Sequence, residues 1–246
     1  MLSTFLARGV NSSTRIVQQG LRALLPQSCY LCAAPSRSAL LCRACHATLP
    51  RLSATGCPLC ALPTRDGSVC GRCLQRTPAF DATVAVHPYA FPVDELVQAL
   101  KYGGRLALAE WAAEGLCAAL SGRDPAPEIL IAMPLSPARQ RERGYNQARE
   151  IARILARRKA MLLARRGAIR IKHGPPQATL PWSERAKNVR GAFACELDLA
   201  GKSVALVDDV MTTGASLDEL ARTLKKAGAA RVENWVVART LPGKMD

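Results

Sequence analysis

Val204–Ser216 reads VALVDDVMTTGAS, a short apolar run followed by two carboxylates and a hydroxyl-rich glycine turn. Val204 to Val207 have the composition of a buried parallel strand. Asp208 and Asp209 follow at its carboxyl end, where open α/β sheets place their ligand crevices. Thr212, Thr213, Gly214 and Ser216 then lead into LDELARTLKKAG, a helical pattern that closes at Gly228. A helix start presents unpaired N–H groups and a partial positive charge, and the neighbouring hydroxyls add donors for a phosphate. Two carboxylates beside that phosphate would accept hydrogen bonds from the vicinal hydroxyls of a ribose, or hold Mg²⁺ through water. Acidic residues that merely cap a helix have no need of Thr-Thr-Gly. A Walker-type loop is excluded because no Gly-Lys-Ser/Thr follows the strand, and no GxGxxG supports a dinucleotide site.

Upstream, EILIAMPL reads as a second buried strand running out at Pro134, and Leu135 to Gly144 reads as a loop carrying Arg139, Arg141 and Arg143. Such a loop can cradle a pyrophosphate, with backbone N–H groups near Pro134, at Leu135 and Ser136, and guanidinium forks from Arg139 and Arg143. A third basic segment, QATLPWSERAKNVRGAF, has no clear periodicity and reads as a mobile hood in which Arg185 and Lys187 close over the site. Helices are expected at VDELVQALKYGG, at LALAEWAAEGLCAALSG and from about Tyr145 to Lys159. Further strands are expected within FDATVAVHPYAF, at Ala168–Lys172, at Ala192–Cys195 and at Val232–Ala238. Strand and helix in alternation predict an α/β domain, a mostly parallel sheet with helices on both faces, over residues 80–246.

Ahead of it, eight cysteines form four CxxC pairs: Cys29/Cys32, Cys42/Cys45, Cys57/Cys60 and Cys70/Cys73. The arrangement repeats at an offset of 28 residues. A CxxC turn brings two sulfurs to one metal at about 2.3 Å, and two such knuckles complete a tetrahedral Cys₄ zinc site. Residues 29–76 therefore read as a small double zinc ribbon with two structural Zn²⁺, each worth roughly 10 to 16 kcal/mol in finger peptides. A disulfide framework is the competing reading, but nothing marks the chain as secreted. The repeat favours local pairing, Cys29-32-42-45 and Cys57-60-70-73, over an interleaved one.

Composition bounds the rest. The chain has 246 residues, a net charge of +15 and more arginine than lysine, a balance that favours phosphate-rich partners. No apolar run approaches the roughly 20 residues needed to span a bilayer, and no secretory signal is apparent, so a soluble, cytoplasmic bacterial protein is expected. Residues 1–28 hold Arg8, Arg15 and Arg22 and no acidic residue, with Val17, Leu21, Leu24 and Leu25 on one helical stripe; they read as a separate helical or flexible segment. Arg149, Arg153 and Arg157 recur at helical i, i+4, i+8 spacing, which offers an electrostatic surface for single-stranded DNA or simply a solvated helix face.

The Val204–Ser216 run resembles the phosphoribosyl pyrophosphate (PRPP) fingerprint of type I phosphoribosyltransferases. The double ribbon, Lys101-Tyr102-Gly103, Arg143-Gly144-Tyr145-Asn146-Gln147, Gln177, Ser183-Glu184-Arg185 and Asn188-Val189 extend the likeness. Together they resemble the ComF family of competence-associated phosphoribosyltransferase-like proteins. The resemblance implies that Asp208 and Asp209 address the ribose hydroxyls and serve catalysis. It also implies that Met211, Thr212, Thr213, Gly214, Ala215 and Ser216 wrap the 5-phosphate, and that Lys101 contacts the pyrophosphate. It further implies a role in DNA uptake, with PRPP, Mg²⁺, single-stranded DNA and proteins of the uptake machinery as partners. A phosphoribosyltransferase of nucleotide metabolism or salvage, and a PRPP-sensing regulator without turnover, are the alternatives.

Overall fold

The computed structural model describes residues 28–36, 40–53, 55–123, 125–164, 166–172 and 189–243. The chain forms two compact units, the first ending at Leu49 and the second beginning at Pro50. In the first, Cys29, Cys32, Cys42 and Cys45 converge around a short helix, α1 (Arg43–Ala47). Cys42 caps that helix, its Sγ accepting the Cys45 N–H at 3.4 Å.

The second unit opens with the other four cysteines and helix α2 (Gly71–Gln75), then continues into the α/β body. Its elements are β1 (Ala82–Pro88), α3 (Val93–Tyr102), α4 (Leu108–Ala119), β2 (Ile129–Ala132), α5 (Pro137–Arg143) and α6 (Gln147–Lys159). They are followed by β3 (Leu162–Leu163), β4 (Ile169–Arg170), β5 (Phe193–Ala194), β6 (Ser203–Met211), α7 (Ala215–Lys226) and β7 (Arg231–Arg239). Five strands pair in parallel in the order β1-β7-β6-β2-β3, so β6 is central; β4 and β5 form a separate antiparallel pair.

Period-two alternation sorts the strand residues between two layers. Ile131, Val204, Leu206, Val232 and Val236 share one core with Leu217, Leu220, Ala221 and Leu224 of α7 and with Cys57, Cys60, Leu62 and Cys73. Helices α4 and α6 pack against each other and against β1, β2, β6 and β7. There Ile151, Ala152 and Leu155 of α6 and Leu108, Ala112 and Leu116 of α4 are buried. The expected parallel sheet with flanking helices is thus the observed fold.

Two local expectations change. The arginine-rich stretch after Pro134 is a helix rather than a loop. Ser136 caps α5 by accepting the Arg139 N–H at 3.4 Å, and Pro137 occupies the first turn, where its missing N–H costs nothing. Strand β6 does not stop at Val207 but runs through both aspartates to Met211, because β7 is equally long and pairs with it from Ser203↔Arg231 to Met211↔Arg239. The hood residues Arg185 and Lys187, together with Gln177, Ser183, Glu184 and Asn188, lie outside the described residues, as do residues 1–27. Among the described residues no helix is long and apolar enough to cross a membrane.

Candidate functional site

The carboxyl ends of β6 and β2 lie side by side, with Ala132 opposite Val207 and the Met133 N–H donating to the Val207 carbonyl at 2.9 Å. Register therefore brings Asp208 and Asp209 next to the segment that starts at Pro134. Lys101, from the last turn of α3, reaches the same place: its Nζ lies 3.0 Å from Asp209 Oδ1, with 18% of the lysine side chain and 4% of the aspartate side chain exposed. Burial alone would disfavour the ammonium, but Asp209 and Asp208 overcome that and hold the Lys101 pKa above its ordinary value.

Asp208 is pushed up to about 7 by burial and by the charge of Asp209, against the opposing pull of Lys101. Asp209 Oδ2 is buried and accepts no hydrogen bond from the described residues. Two crowded carboxylates served by one ammonium, with one oxygen unclaimed, suit either a ribose diol or a hydrated divalent cation.

Beyond Met211 the chain turns through Thr212 and Thr213 into α7. Gly214 sits at the N-cap with φ +84°, and a Cβ there would come within 2.6 Å of Met211 Cε. Thr213 Oγ1 accepts the Ala215 N–H at 3.1 Å. The Met211 side chain is buried in the core, so only its backbone faces the turn's chemistry. Ala215 and Ser216 open α7 with their N–H groups in the first turn.

The predicted pyrophosphate residues divide. Pro134, Leu135 and Ser136 follow β2 directly, as expected. Arg143 is turned toward α3 and α6: Nη2 donates to the Tyr102 hydroxyl at 3.1 Å, Nη1 donates to Gln147 Oε1 at 3.0 Å, and the guanidinium lies 4.6 Å from the Tyr102 ring centroid. Its Nε is buried without a described partner. Arg139 projects from the first turn of α5 and is half-buried.

Tyr145 and Asn146, quoted in the sequence only as part of a run, are positioning residues. The Tyr145 hydroxyl donates to the Leu100 carbonyl, and Asn146 Nδ2 donates to the Met133 carbonyl at 3.0 Å, fixing α6 against α3 and β2. Sequence reading also missed Arg239, whose signal is a lone cation closing the apolar strand residues Val236, Val237 and Ala238.

A double zinc ribbon domain matches residues 20–74, and a phosphoribosyl transferase domain matches residues 142–245. Competence protein F of Haemophilus influenzae is 32% identical over 169 residues, covering 65% of this chain and 74% of that protein. DNA utilization protein YhgH of Salmonella typhi is 34% identical over 163 residues, 64% and 72% of the two chains. This chain belongs to the ComF family. Among solved structures, adenine phosphoribosyltransferase from Thermoanaerobacter pseudethanolicus is 16% identical, with a TM-score of 0.33 over 56% of this chain and 83% of that one.

In this ComF-family chain the cysteines group locally: Cys29, Cys32, Cys42 and Cys45 form one set, Cys57, Cys60, Cys70 and Cys73 the other, with all sulfurs in a set within 4.8 Å of one another. The donor chemistry fits zinc. Cys29 is lowered to about 6: burial opposes its ionisation, but N–H groups of Cys42, Cys32 and Leu31 outweigh that. Cys57 is lowered to about 7 on the same balance, with N–H groups from Cys70, Cys60 and Leu59. Cys45 is pushed up to about 12 by contacts with the Cys32 and Cys42 thiols, and burial together with the charge of Cys60 raises Cys73. Thiols that cannot all ionise beside one another call for a cation among them.

The basic stripe of the ComF-family chain is partly neutralised in place. Arg153 pairs with Glu150 at 3.0 Å, while Arg157 and Arg158 both reach Glu110, at 3.2 and 2.7 Å. Arg149 is exposed on the same helix.

Proposed function

We propose that this chain is a PRPP-binding phosphoribosyltransferase-type protein of DNA uptake that works in the cytoplasm and handles single-stranded DNA on its basic surface. The observation that carries the reading is the Asp208–Asp209 pair, Asp208 half-buried and Asp209 buried against Lys101, at the carboxyl edge of β6 and closely followed by the Thr-Thr-Gly turn. In this reading Asp208 and Asp209 accept hydrogen bonds from the 2- and 3-hydroxyls of the ribose, with Asp209 Oδ2 as the unclaimed acceptor. The N–H groups from Thr212 to Ser216 and the hydroxyls of Thr212, Thr213 and Ser216 take the 5-phosphate. The segment Pro134–Ser136, Arg139 and Lys101 face the pyrophosphate, and Arg185 and Lys187 close over it.

The reaction these groups serve is displacement of pyrophosphate from C1 of the ribose, with oxocarbenium character at the transition state. The protein's part is to stabilise the leaving anion and hold the ribose so that attack is in line. Mg²⁺, when bound, neutralises part of the pyrophosphate charge, and Asp208 and Asp209 would hold it through its water shell. Lys101 already offers an ammonium beside those carboxylates and can pass to the pyrophosphate as the ligand enters.

Calorimetry with PRPP and Mg²⁺ tests the reading. Saturable binding is expected for the parent chain, with loss of binding in the Asp208→Asn, Asp209→Asn double variant; absence of binding by the parent overturns it. Pyrophosphate release in the presence of a panel of bases and of single-stranded DNA separates turnover from sensing. DNA affinity should fall steeply with salt, since few aromatic residues are available for base stacking.

A further inference from the structure

Arg239 is the last residue of β7 and pairs in register with Met211, the last residue of β6. It is 1% exposed, and among the described residues its guanidinium makes no ion pair. It donates to four carbonyl oxygens, and the Cys60 side chain lies beside it as well. Nε donates to Cys60 at 2.8 Å, while Nη1 donates to Met211 at 2.9 Å, to Thr240 at 3.0 Å and to Thr212. Burying a cation without a carboxylate is expensive unless several oriented dipoles replace water around it. Here those dipoles come from two places that the chain keeps far apart in sequence: the second cysteine knuckle and the turn that opens α7.

The two also line one cleft of about 1030 Å³, whose walls include Cys60, Cys73, Thr213, Gly214 and Arg239. The Thr83 N–H donates to the Pro58 carbonyl at 3.1 Å, a further tie between this knuckle and the sheet.

We propose that Arg239 is a positioning residue joining the second cysteine group to the phosphate turn, so that metal at Cys57, Cys60, Cys70 and Cys73 sets how tightly that turn holds the 5-phosphate of PRPP. The proposal rests on the reading of Thr212–Ser216 as the 5-phosphate site. A tetrathiolate–Zn²⁺ group carries net negative charge next to the Cys60 carbonyl and fixes that carbonyl's direction. Arg239 is then held, and with it the Met211 and Thr212 carbonyls, which orients the following N–H groups before the phosphate arrives. Without metal the four thiols lose their common centre, the Cys60 carbonyl is free to turn, and the phosphate turn loses its brace. Among the described residues the hydrogen-bond acceptors given for Arg239 all belong to the second unit.

The test is calorimetric titration of the zinc-loaded full chain with PRPP, comparing Cys73→Ser, Cys45→Ser, Arg239→Met and Arg239→Lys. Cys73→Ser and Arg239→Met should each weaken PRPP about tenfold, and Cys45→Ser should leave it within about twofold. Arg239→Lys, which keeps the charge but not the fork, should fall between. Equal affinities for the parent and Cys73→Ser overturn the coupling, as do Arg239 variants that are folded by circular dichroism and bind PRPP like the parent.

Linkage supplies a second readout that needs no variant. Saturating ribose 5-phosphate, which has no pyrophosphate to chelate metal, should protect one of two zinc equivalents from a colorimetric chelator and leave the other unprotected. Chelation of both equivalents at the rates seen without ribose 5-phosphate overturns the proposal even if Cys73→Ser fails to fold. A parent chain that binds no PRPP defeats the underlying site reading; a parent that binds normally while the variants match it defeats only the coupling.

Discussion

Asp208 and Lys101 make opposite demands on the fold, and each yields a measurable effect. The Asp208 carboxyl titrates near 7 in the folded chain, against an ordinary value of 3.8, because it is buried beside Asp209. Between those values the folded state keeps a proton that the unfolded state has released, so stability falls as pH rises from about 4 to about 7. Asp208→Asn should remove that slope and raise stability at pH 8 by about 1 to 2 kcal/mol, measured by urea denaturation at pH 5 and pH 8. Lys101→Met leaves the two carboxylates without their ammonium and should cost about 3 kcal/mol at pH 8, with the loss shrinking as pH drops and Asp208 takes up its proton. The sequence announced the aspartates because their strand and turn are contiguous. It suggested Lys101 only by resemblance and gave no hint of the ion pair, which depends on α3 ending above the carboxyl edge of β6. Arg239 went unread because a cation at a strand end looks solvent-bound until the partner carbonyls, from residues as remote as Cys60, are in place.

Among the elements, the turn into α7 is the most sharply constrained. Gly214→Ala would force a left-handed φ on a residue with a Cβ and press it against Met211 Cε, so a loss of about 1 to 3 kcal/mol is expected by thermal unfolding, together with weaker ribose 5-phosphate binding. Helix α6 is the contrasting case. Arg153→Ala removes an exposed i, i+3 pair with Glu150 and should change stability by no more than about 0.5 kcal/mol. The same change should lower DNA affinity less than Arg149→Ala does, since Arg149 has no described ion pair to give up; filter binding at two salt concentrations would rank them. Periodicity predicted α3, α4, α6 and α7 because each has an apolar face wide enough to register in sequence. It missed α5, whose seven residues bury no side chain and whose order comes from the Ser136 cap and Pro137. It also missed β3, two residues long and defined only by its pairing with β2.

At the scale of the molecule, the repeat that makes the two cysteine groups look alike in sequence gives no sign that they serve different bodies. The first belongs to the unit ending at Leu49, the second to the unit that carries the sheet. A chain beginning at Pro50 is therefore expected to fold by itself and to retain one equivalent of zinc, as mass spectrometry under native conditions would show, whereas one beginning at Phe80 loses the Cys60 acceptor of Arg239 and should unfold at lower temperature. Burial differs between the groups as well. Cys57, Cys60 and Cys73 are buried in the second set, but only Cys29 in the first, where Cys32 is exposed. The exposed set has the easier exchange route to solvent and to competing ligands, so depletion of the metal is expected to proceed in two kinetic phases: a chain short of zinc should pass through a half-loaded form in which the first cysteine group has lost its metal while the second still holds one beside an intact sheet.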